Sequence, residues 1–390
     1  MTSAFHSLPS GPCPWPARRS ACGFSRFVLA ACTALAIAPA RGADEKSGTA
    51  PASDAAWLMS EVAGATARPA VSAESAPPGL QLCLAPAADL SPIFPTTEFR
   101  SNDRMISVLF RLEEGMHPKR LMAEFIPTEV PNVPSGKAVA HATLGPPEAF
   151  GSFALMIGTQ LPPGKYRVDV SADGTLWKSA DFTVVPTLPA PEVKKPEALV
   201  ALTPGRTWTY ELTQEVAAGA KITDVPQGIT QGPDGKYHGV VVATITGVDA
   251  AGAHFQYQRR GGAGFMDEWW RLDFHGLTAT QRRMEGGELI TLDSPQVLWR
   301  LPLKSSGEWT YKFKQTNVHQ NIRQWGPVPL RGPEGTRAGF VVVVNQEVGP
   351  TAITVEREFI PGAGMVRQVY TTGLRGRFVQ RETMLLTDVK

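Results

Sequence analysis

The chain has 390 residues, of which 43% are hydrophobic and 19% are charged, and its formal net charge is +2. Its length favours two domains and allows a hydrophobic core that needs no disulfide bonds. The first 40 residues hold three arginines and no acid, which leaves the remainder at −1. Because a nearly neutral chain lacks the positive field that attracts nucleic acid, we predict no nucleic-acid partner.

Residues 1–40 have the pattern of a secretory signal peptide. Arg18, Arg19 and Arg26 precede an apolar run at Phe27–Ala38, and an Ala-Pro-Ala sequence closes the segment. These features predict cleavage after residue 40 and export to the periplasm or the extracellular space. The apolar run is too short to cross a bilayer, so we predict no transmembrane span in the mature chain.

A lipid anchor is the alternative at this leader. Leu29–Cys32 matches a lipoprotein cleavage box, which would leave a lipidated Cys32. We favour the unanchored form, because the residues after Cys32 stay apolar where a lipoprotein normally turns polar. Cleavage after residue 40 leaves Cys83 as the single cysteine, and we predict that it is a small buried apolar side chain. A disulfide to another chain is the alternative for Cys83.

Composition divides the rest of the chain into four segments. Residues 41–79 are rich in Ala, Ser and Pro, which predicts a disordered tether. Residues 80–186 predict a first β domain, because apolar side chains alternate and turn residues recur every 8–12 positions. Residues 187–197 predict a proline-rich linker, and residues 198–390 predict a second β domain.

The first β domain ends in a well-marked hairpin. Gly164 follows two prolines and leads into a strand in which Tyr166 and Val168 share one face, and Asp173-Gly174 marks the next turn. This segment resembles the closing hairpin of immunoglobulin-like domains in bacterial exported proteins, where a PPGxYxVxVxxDG run is common. The resemblance implies an N-terminal Ig-like β-sandwich.

The second β domain contains a short internal repeat. Trp208 and Tyr210 recur as Trp309 and Tyr311, and each pair follows a glycine and encloses a threonine. Both aromatic rings of a pair share one face of a strand, because side chains alternate there. We predict that the two pairs pack into one core. The alternative is that they line a groove for a sugar or a lipid.

Three motifs of this second domain resemble the TapB-like family of exported bacterial β-proteins of unknown function. They are Gly205–Tyr210, Pro302–Tyr311 and the turn at Pro361–Val366. The family's usual strand entry is only approximated, at Pro333–Phe340. The resemblance implies export and no particular reaction. Together the patterns predict an all-β fold, in which the Ig-like sandwich is followed by an antiparallel meander forming a half-barrel or open barrel.

The sequence holds no G-x-S-x-G, P-loop, H-E-x-x-H or C-x-x-C motif. We therefore predict no catalytic residues, no metal site and no cofactor, and we favour a protein that is not an enzyme. Charged residues near the C-terminus, among them Arg367 and Arg381, alternate with Glu356, Glu358 and Glu382. This alternation predicts a mixed face in contact with solvent.

One polar and aromatic segment, Asp267–His275, has a different pattern. As a strand it would place Trp269, Arg271, Asp273 and His275 on one face and Trp270, Leu272 and Phe274 on the other. We predict that the first face is exposed and carries an Arg271–Asp273 ion pair, and that the second face packs in the core. The alternative is that Asp273 and His275 form an acid–base pair, with Glu268 nearby, or two ligands of a metal ion.

We therefore expect a non-enzymatic exported protein of the cell envelope that binds a partner protein, a glycan or a lipid. One alternative is a hydrolase of envelope or extracellular polymers that uses Asp273, His275 and Glu268. Another is a structural module of a periplasmic complex. The predicted ligand-contacting residues are Trp208, Tyr210, Trp309, Tyr311, Trp269 and Arg271.

Overall fold

The computed structural model describes most of the chain after the tether. It covers residues 78–390 except 104, 157–159, 188–195, 221, 223–224, 302, 304–305 and 314–317. The predicted signal peptide, Cys32, nearly all of the tether and the centre of the linker lie outside the described residues. Gly79, placed in the tether by sequence, begins the first strand.

Nine strands build two sheets in the first part of the described chain. The sheets have the orders β2-β1-β4-β7 and β3-β9-β8-β5-β6. Val108, Phe125 and Val168, one from each of three strands, are fully buried in a common core. The strands are β1 (Gly79–Pro86), β2 (Pro92–Pro95), β3 (Glu98–Arg100), β4 (Met105–Arg111), β5 (Leu121–Glu129), β6 (Ala140–Leu144), β7 (Phe150–Met156), β8 (Gly164–Ala172) and β9 (Thr175–Val185).

These two sheets, called the sandwich below, carry two features of an immunoglobulin-like fold. One sheet holds β1, β4 and β7, in the positions of strands A, B and E of an immunoglobulin domain. The other sheet holds β5, β8 and β9, in the positions of strands C, F and G. In addition, the Tyr166 hydroxyl donates a 2.8 Å hydrogen bond to the carbonyl of Pro162, which forms a tyrosine corner at the start of β8. The predicted turn at Asp173-Gly174 joins β8 to β9, with both residues at positive φ.

The remaining thirteen strands form one curved sheet in which every pairing is antiparallel. The order is β16-β15-β14-β13-β12-β10-β22-β21-β20-β19-β18-β17, with β11 attached to β12. This confirms the predicted meander, which follows a 3₁₀ turn at Pro196–Ala198. The strands are β10 (Thr207–Val216), β11 (Ile229–Gln231), β12 (Tyr237–Asp249), β13 (Gly252–Arg259), β14 (Gly264–Asp273), β15 (Gly276–Met284), β16 (Ile290–Arg300), β17 (Ser306–Lys312), β18 (His319–Gly332), β19 (Gly335–Val348), β20 (Thr351–Ile360), β21 (Gly364–Leu374) and β22 (Arg377–Val389).

The curved sheet curls until its two ends meet through side chains. The Gln324 amide on β18 accepts a 2.9 Å hydrogen bond from the backbone N–H of Arg300 on β16 and donates one of 3.1 Å to the carbonyl of the same residue. The Tyr311 hydroxyl on β17 donates to the carbonyl of Ser294 at 2.9 Å. In the described part of the chain no backbone ladder joins β16 to β17 or β18, so the sheet is a half-barrel with a side-chain seam.

Aromatic residues fill the space that the curl encloses. Trp299 of β16 stacks on Phe359 of β20 with ring centroids 5.0 Å apart, and Trp208 of β10 packs against Phe255 of β13 at 5.3 Å. The first contact joins strands that lie far apart in the sheet order, and it therefore stabilises the curl as part of a hydrophobic core.

Cys83 is fully buried in β1, as predicted. Burial raises the pKa of its thiol to about 12. Its Sγ lies 3.2 Å from the carbonyl oxygen of Ala85 and donates to it. A buried thiol with a raised pKa is an inert packing group, which argues against a disulfide to another chain.

Candidate functional site

The first predicted aromatic pair lies inside the curved sheet. Trp208 and Tyr210 on β10 are 2% and 3% exposed. The Trp208 indole N–H donates to the carbonyl of Ala363 at 2.8 Å, and the Tyr210 hydroxyl donates to the carbonyl of Met365 at 3.0 Å. Both polar atoms are thus used to hold β10 against the turn that begins β21.

The second pair lies at the seam. Tyr311 is buried and bonded to Ser294 across the seam, while Trp309 is half-buried beneath the guanidinium of Arg300, 5.2 Å from the ring centroid. The two copies of the repeat therefore occupy different places, one in the middle of the sheet and one at its end. Trp208, Tyr210 and Tyr311 belong to one buried hydrophobic cluster and Trp309 packs against it, which confirms the predicted common core. A ligand-binding role for these side chains stays a prediction.

The segment Asp267–His275 departs from the predicted alternation. β14 ends at Asp273, so Phe274 and His275 lie in the turn to β15, and Phe274 is 73% exposed instead of packing in the core. A register shift against β15 lies between Trp269 and Trp270, and both of these side chains are buried. The physical reason for the early end is that the Asp273 carboxylate accepts the backbone N–H of His275 at 2.7 Å, which closes a local turn.

Arg271 lies on the surface and donates to the carbonyl of Ala250. Among the described residues it has no ion pair with Asp273, so the predicted pair is wrong. The competing backbone acceptor explains the difference, since the neighbouring β12–β13 turn approaches the guanidinium. The predicted ligand contact at Arg271 and Trp269 stays a prediction.

The acid–base site proposed from sequence is not assembled. Glu268 is 5% exposed and faces the interior, where Arg282 and Trp270 donate to its carboxylate at 2.7 and 3.1 Å. Asp273 is the last residue of the same strand, and His275 lies exposed in the turn that follows it. A hydrolase that uses these three side chains together therefore finds no support in their placement.

The structure does assemble a polar site where the sandwich meets the curved sheet. The loop between β1 and β2 lies over the outer face of β20, β21 and β22, and we call residues 86–92 the docking hairpin. Asp89 of the hairpin is 1% exposed and forms an ion pair of 2.7 Å with Arg381 of β22. The Arg381 side chain is also buried. Ser91 donates to Asp89 at 2.6 Å and accepts from Arg381 at 3.0 Å.

The docking hairpin is held in an unusual backbone conformation. Leu90 has a φ of 58°, a region that a branched side chain rarely adopts. Ala88 approaches the sheet so closely that a Cβ built on Gly373 of β21 would lie 2.0 Å from its carbonyl oxygen. Strained conformations persist where the surroundings fix them, so the hairpin and its platform are fitted to each other.

A cleft of about 220 Å³ opens beside the docking hairpin, and we call it the interface cleft. Its volume is smaller than the roughly 300–1,000 Å³ typical of sites that enclose a whole small molecule. Its apolar lining comes mainly from the hairpin side and its polar lining from the sheet. The lining residues are Ala87, Ser91, Pro92 and Ile93 with Glu215, Lys236, Thr354, Glu356, Arg367, Val369, Thr371, Arg381 and Thr383.

Every charged side chain in this lining has a partner. Lys236 pairs with Glu215 at 3.0 Å, and Arg367 holds Glu356 at 2.9 Å and Glu358 at 2.7 Å. Burial raises the pKa of Glu358 to about 7, although Arg367 opposes the shift. The cleft therefore presents fixed charges and hydroxyls on rigid strands, an arrangement suited to a polar ligand.

Sequence reasoning missed this site. The alternating charges around Arg367 and Arg381 predicted a solvated face, whereas Glu356, Glu358 and Arg381 are all less than 10% exposed. The sandwich covers this face, and single-strand periodicity carries no information about a covering domain. The sequence feature that could have indicated the site is the run of Thr and charged residues on one face of these strands. An ordinary exposed strand has the same pattern, so this feature does not distinguish the two cases.

The described residues contain no group of three His, Cys, Asp or Glu side chains that could hold a metal ion. They also include no helix with the length and hydropathy of a membrane-spanning segment.

Two solved structures are similar to part of the chain. One is a protein from Bacteroides fragilis NCTC 9343 named as exported and as having a YmcC-like fold, and it matches at 10% identity and a TM-score of 0.23. The other, from Parabacteroides distasonis ATCC 8503, is named as a lipoprotein and matches at 10% identity and a TM-score of 0.24. Each alignment covers 48% of this chain and 96% of the other. Similarity at this level does not assign a function.

No protein-family model and no curated protein match the chain. Membership of the TapB-like family therefore stays a prediction from sequence.

Proposed function

We propose that the protein is exported to the cell envelope, in the periplasm or outside the cell, and acts there by binding and not by catalysis. The leader at residues 1–40 supports export. The interface cleft is the observation that carries the binding role, because it is a concave, polar site between two β scaffolds. Of the three ligand classes expected from the sequence, a glycan or a polar segment of a partner protein fits this cleft better than a lipid.

The preference for a polar ligand follows from the lining. Glu356, Arg367 and Arg381 would lose contact with water if an acyl chain filled the cleft, and burying ionic groups against hydrocarbon is costly. Sugar hydroxyls or peptide groups could instead exchange hydrogen bonds with the hydroxyl of Thr383. The small volume indicates that one part of a longer ligand enters the cleft.

Calorimetric titration of the mature protein tests this proposal, with soluble peptidoglycan fragments, envelope oligosaccharides and phospholipid vesicles as probes. We expect binding to one of the saccharide probes and none to the vesicles. In Thr383→Val the cleft loses one hydroxyl at constant shape, so the affinity should fall by about 2- to 10-fold. The matched control is Thr387→Val, which removes an exposed hydroxyl from the same strand outside the cleft.

Binding to vesicles alone, or saccharide binding that Thr383→Val leaves unchanged, would contradict the proposed site. If the purified mature protein begins at a residue far from position 41, the proposed processing is wrong, and mass spectrometry of the secreted form decides this point.

A further inference from the structure

A hydroxyl, an imidazole and a carboxylate form a continuous row on the outer face of the curved sheet. Thr246 Oγ1 lies 2.7 Å from Nδ1 of His254, and Nε2 of His254 lies 3.0 Å from Oδ1 of Asp267. The three residues belong to the neighbouring strands β12, β13 and β14. This row is separate from the interface cleft and shares no residue with it.

The surroundings fix the direction of the hydrogen bonds. Arg283 donates from Nε and Nη2 to Oδ2 of Asp267 at 2.8 and 2.6 Å, and a carboxylate can only accept hydrogen bonds. In the neutral imidazole the Nε2 atom must then carry the hydrogen of His254, and its Nδ1 is left as an acceptor. The Thr246 hydroxyl consequently donates to Nδ1, with a longer alternative to the His254 carbonyl at 3.4 Å.

The imidazole is also held in position by packing. The ring of His254 stacks on the indole of Trp269 with centroids 4.1 Å apart and planes within 4°. The His254 side chain is 23% exposed and the Asp267 side chain 11%, so the base is shielded while Thr246 is exposed. A side-chain hydroxyl becomes reactive when a base lies beside it and a third group orients that base. Thr246, His254 and Asp267 have this arrangement.

A β-bulge in β12 places the Thr246 hydroxyl beside the imidazole of His254. The pairing of β12 with β13 shifts register between Ile245 and Gly247, which leaves Thr246 as the extra residue of a β-bulge. Bulges redirect a side chain and are over-represented beside reactive sites. Here the bulge aims the Thr246 hydroxyl at the imidazole of the opposing strand.

We propose that Thr246 is a nucleophilic site that accepts an acyl group from an ester. The Thr246 oxygen attacks the ester carbonyl carbon, and its proton passes to Nδ1 of His254. The bond from the carbonyl carbon to the leaving oxygen then breaks, and that oxygen takes the proton from His254. The products are an acyl ester on Thr246 and a free alcohol. One such transfer requires no turnover and goes beyond the proposed binding function.

Acetylation by p-nitrophenyl acetate tests the proposal on the mature protein. Peptide mapping by mass spectrometry compares acetylation at Thr246 with that at Thr387, an exposed threonine whose hydroxyl donates to a backbone carbonyl and has no imidazole beside it. General-base assistance predicts that Thr246 reacts at least about tenfold faster. Thr246→Ser should keep the reaction, and Thr246→Val should abolish acetylation of that peptide.

The variant His254→Gln, checked for folding by circular dichroism, should reduce the rate at Thr246 to that at Thr387. The proposal is overturned if the two threonines react at equal rates in the unmodified protein. It is also overturned if a folded His254→Gln protein acetylates Thr246 as fast as before. None of these outcomes depends on the ligand of the interface cleft, so this test and the test of the binding function fail independently.

Discussion

Glu358 is an acid whose burial makes the stability of the protein depend on pH. It is 7% exposed, and its pKa is raised from 4.5 to about 7. A raised pKa means that the folded state holds this proton more tightly than the unfolded state does. Its contribution to stability is therefore fully present below about pH 4.5 and is lost as the pH rises towards 7.

Glu358→Gln removes the titration and keeps the side-chain shape. We expect that, between about pH 4.5 and 7.5, the unmodified protein loses up to about 3 kcal/mol of unfolding free energy relative to this variant. Urea unfolding at several pH values measures the difference. Glu347→Gln, at an exposed position of β19, is the control and should follow the unmodified protein at every pH. A Glu358→Gln profile parallel to the unmodified one would show that this carboxyl does not titrate as described.

At the scale of single side chains, the sequence was informative where burial follows from period two. Val168 and Tyr210 are buried as their alternation indicates. Arg381 is buried against the same expectation, because its partner Asp89 lies 292 positions away in the chain. Pairing at that separation leaves no trace in local composition.

Among the elements, the seam depends on one glutamine. Gln324 is 2% exposed and satisfies both backbone groups of Arg300 on the terminal strand β16. In Gln324→Leu these groups lose their partners, and each unsatisfied buried group costs about 1–3 kcal/mol. We therefore expect the backbone amide of Arg300 to exchange hydrogen for deuterium much faster, and the protein to lose about 2 kcal/mol or more of stability.

The control for the seam is Gln258→Leu on β13, where the side chain is exposed and donates to the carbonyl of Gly262. Its effect on stability should stay within about 0.5 kcal/mol. Unchanged protection of the Arg300 amide in Gln324→Leu would mean that the two ends of the sheet are held together by core packing and not by this side chain.

Strands were easier to predict from sequence than the positions where they end or shift register. Alternation predicted the core of β8, where Tyr166 and Val168 share the face that meets the core. Alternation wrongly predicted that the strand continues beyond Asp273, because Phe274 is apolar. The local turn at Asp273 ends the strand, and Phe274 is exposed. The bulge at Thr246 was not predicted either, since a bulge depends on the register of two strands and not on the content of one.

In the whole molecule, one buried ion pair couples the sandwich to the curved sheet. Asp89→Asn keeps the size of the side chain but leaves the buried guanidinium of Arg381 without its counter-ion. Breaking a buried pair in this way costs about 3–5 kcal/mol. We expect the unmodified protein to melt in one calorimetric transition, and the variant to show the sandwich and the sheet melting separately.

A second variant disturbs the packing of the docking hairpin on the sheet without a change of charge. Gly373→Ala places a methyl group 2.0 Å from the carbonyl oxygen of Ala88 and should also separate the transitions. Gly307→Ala on β17, where a Cβ meets nothing within 4 Å, is its control. Two transitions already present in the unmodified protein, or one transition retained in both variants, would show that the interface does not couple the two parts.

The position of β22 in the curved sheet has a consequence for how this sheet is made. Among the described residues, backbone pairing joins the ladder from β10 to β16 to the ladder from β17 to β21 only through β22, at residues 377–389. The strand that unites the two ladders is thus the last in the chain, and the platform for the docking hairpin is complete only when this strand has paired. Late closure between distant segments makes for slow folding, and a chain cut short before residue 377 would leave β10 and β21 with unpaired edges, which are prone to aggregate.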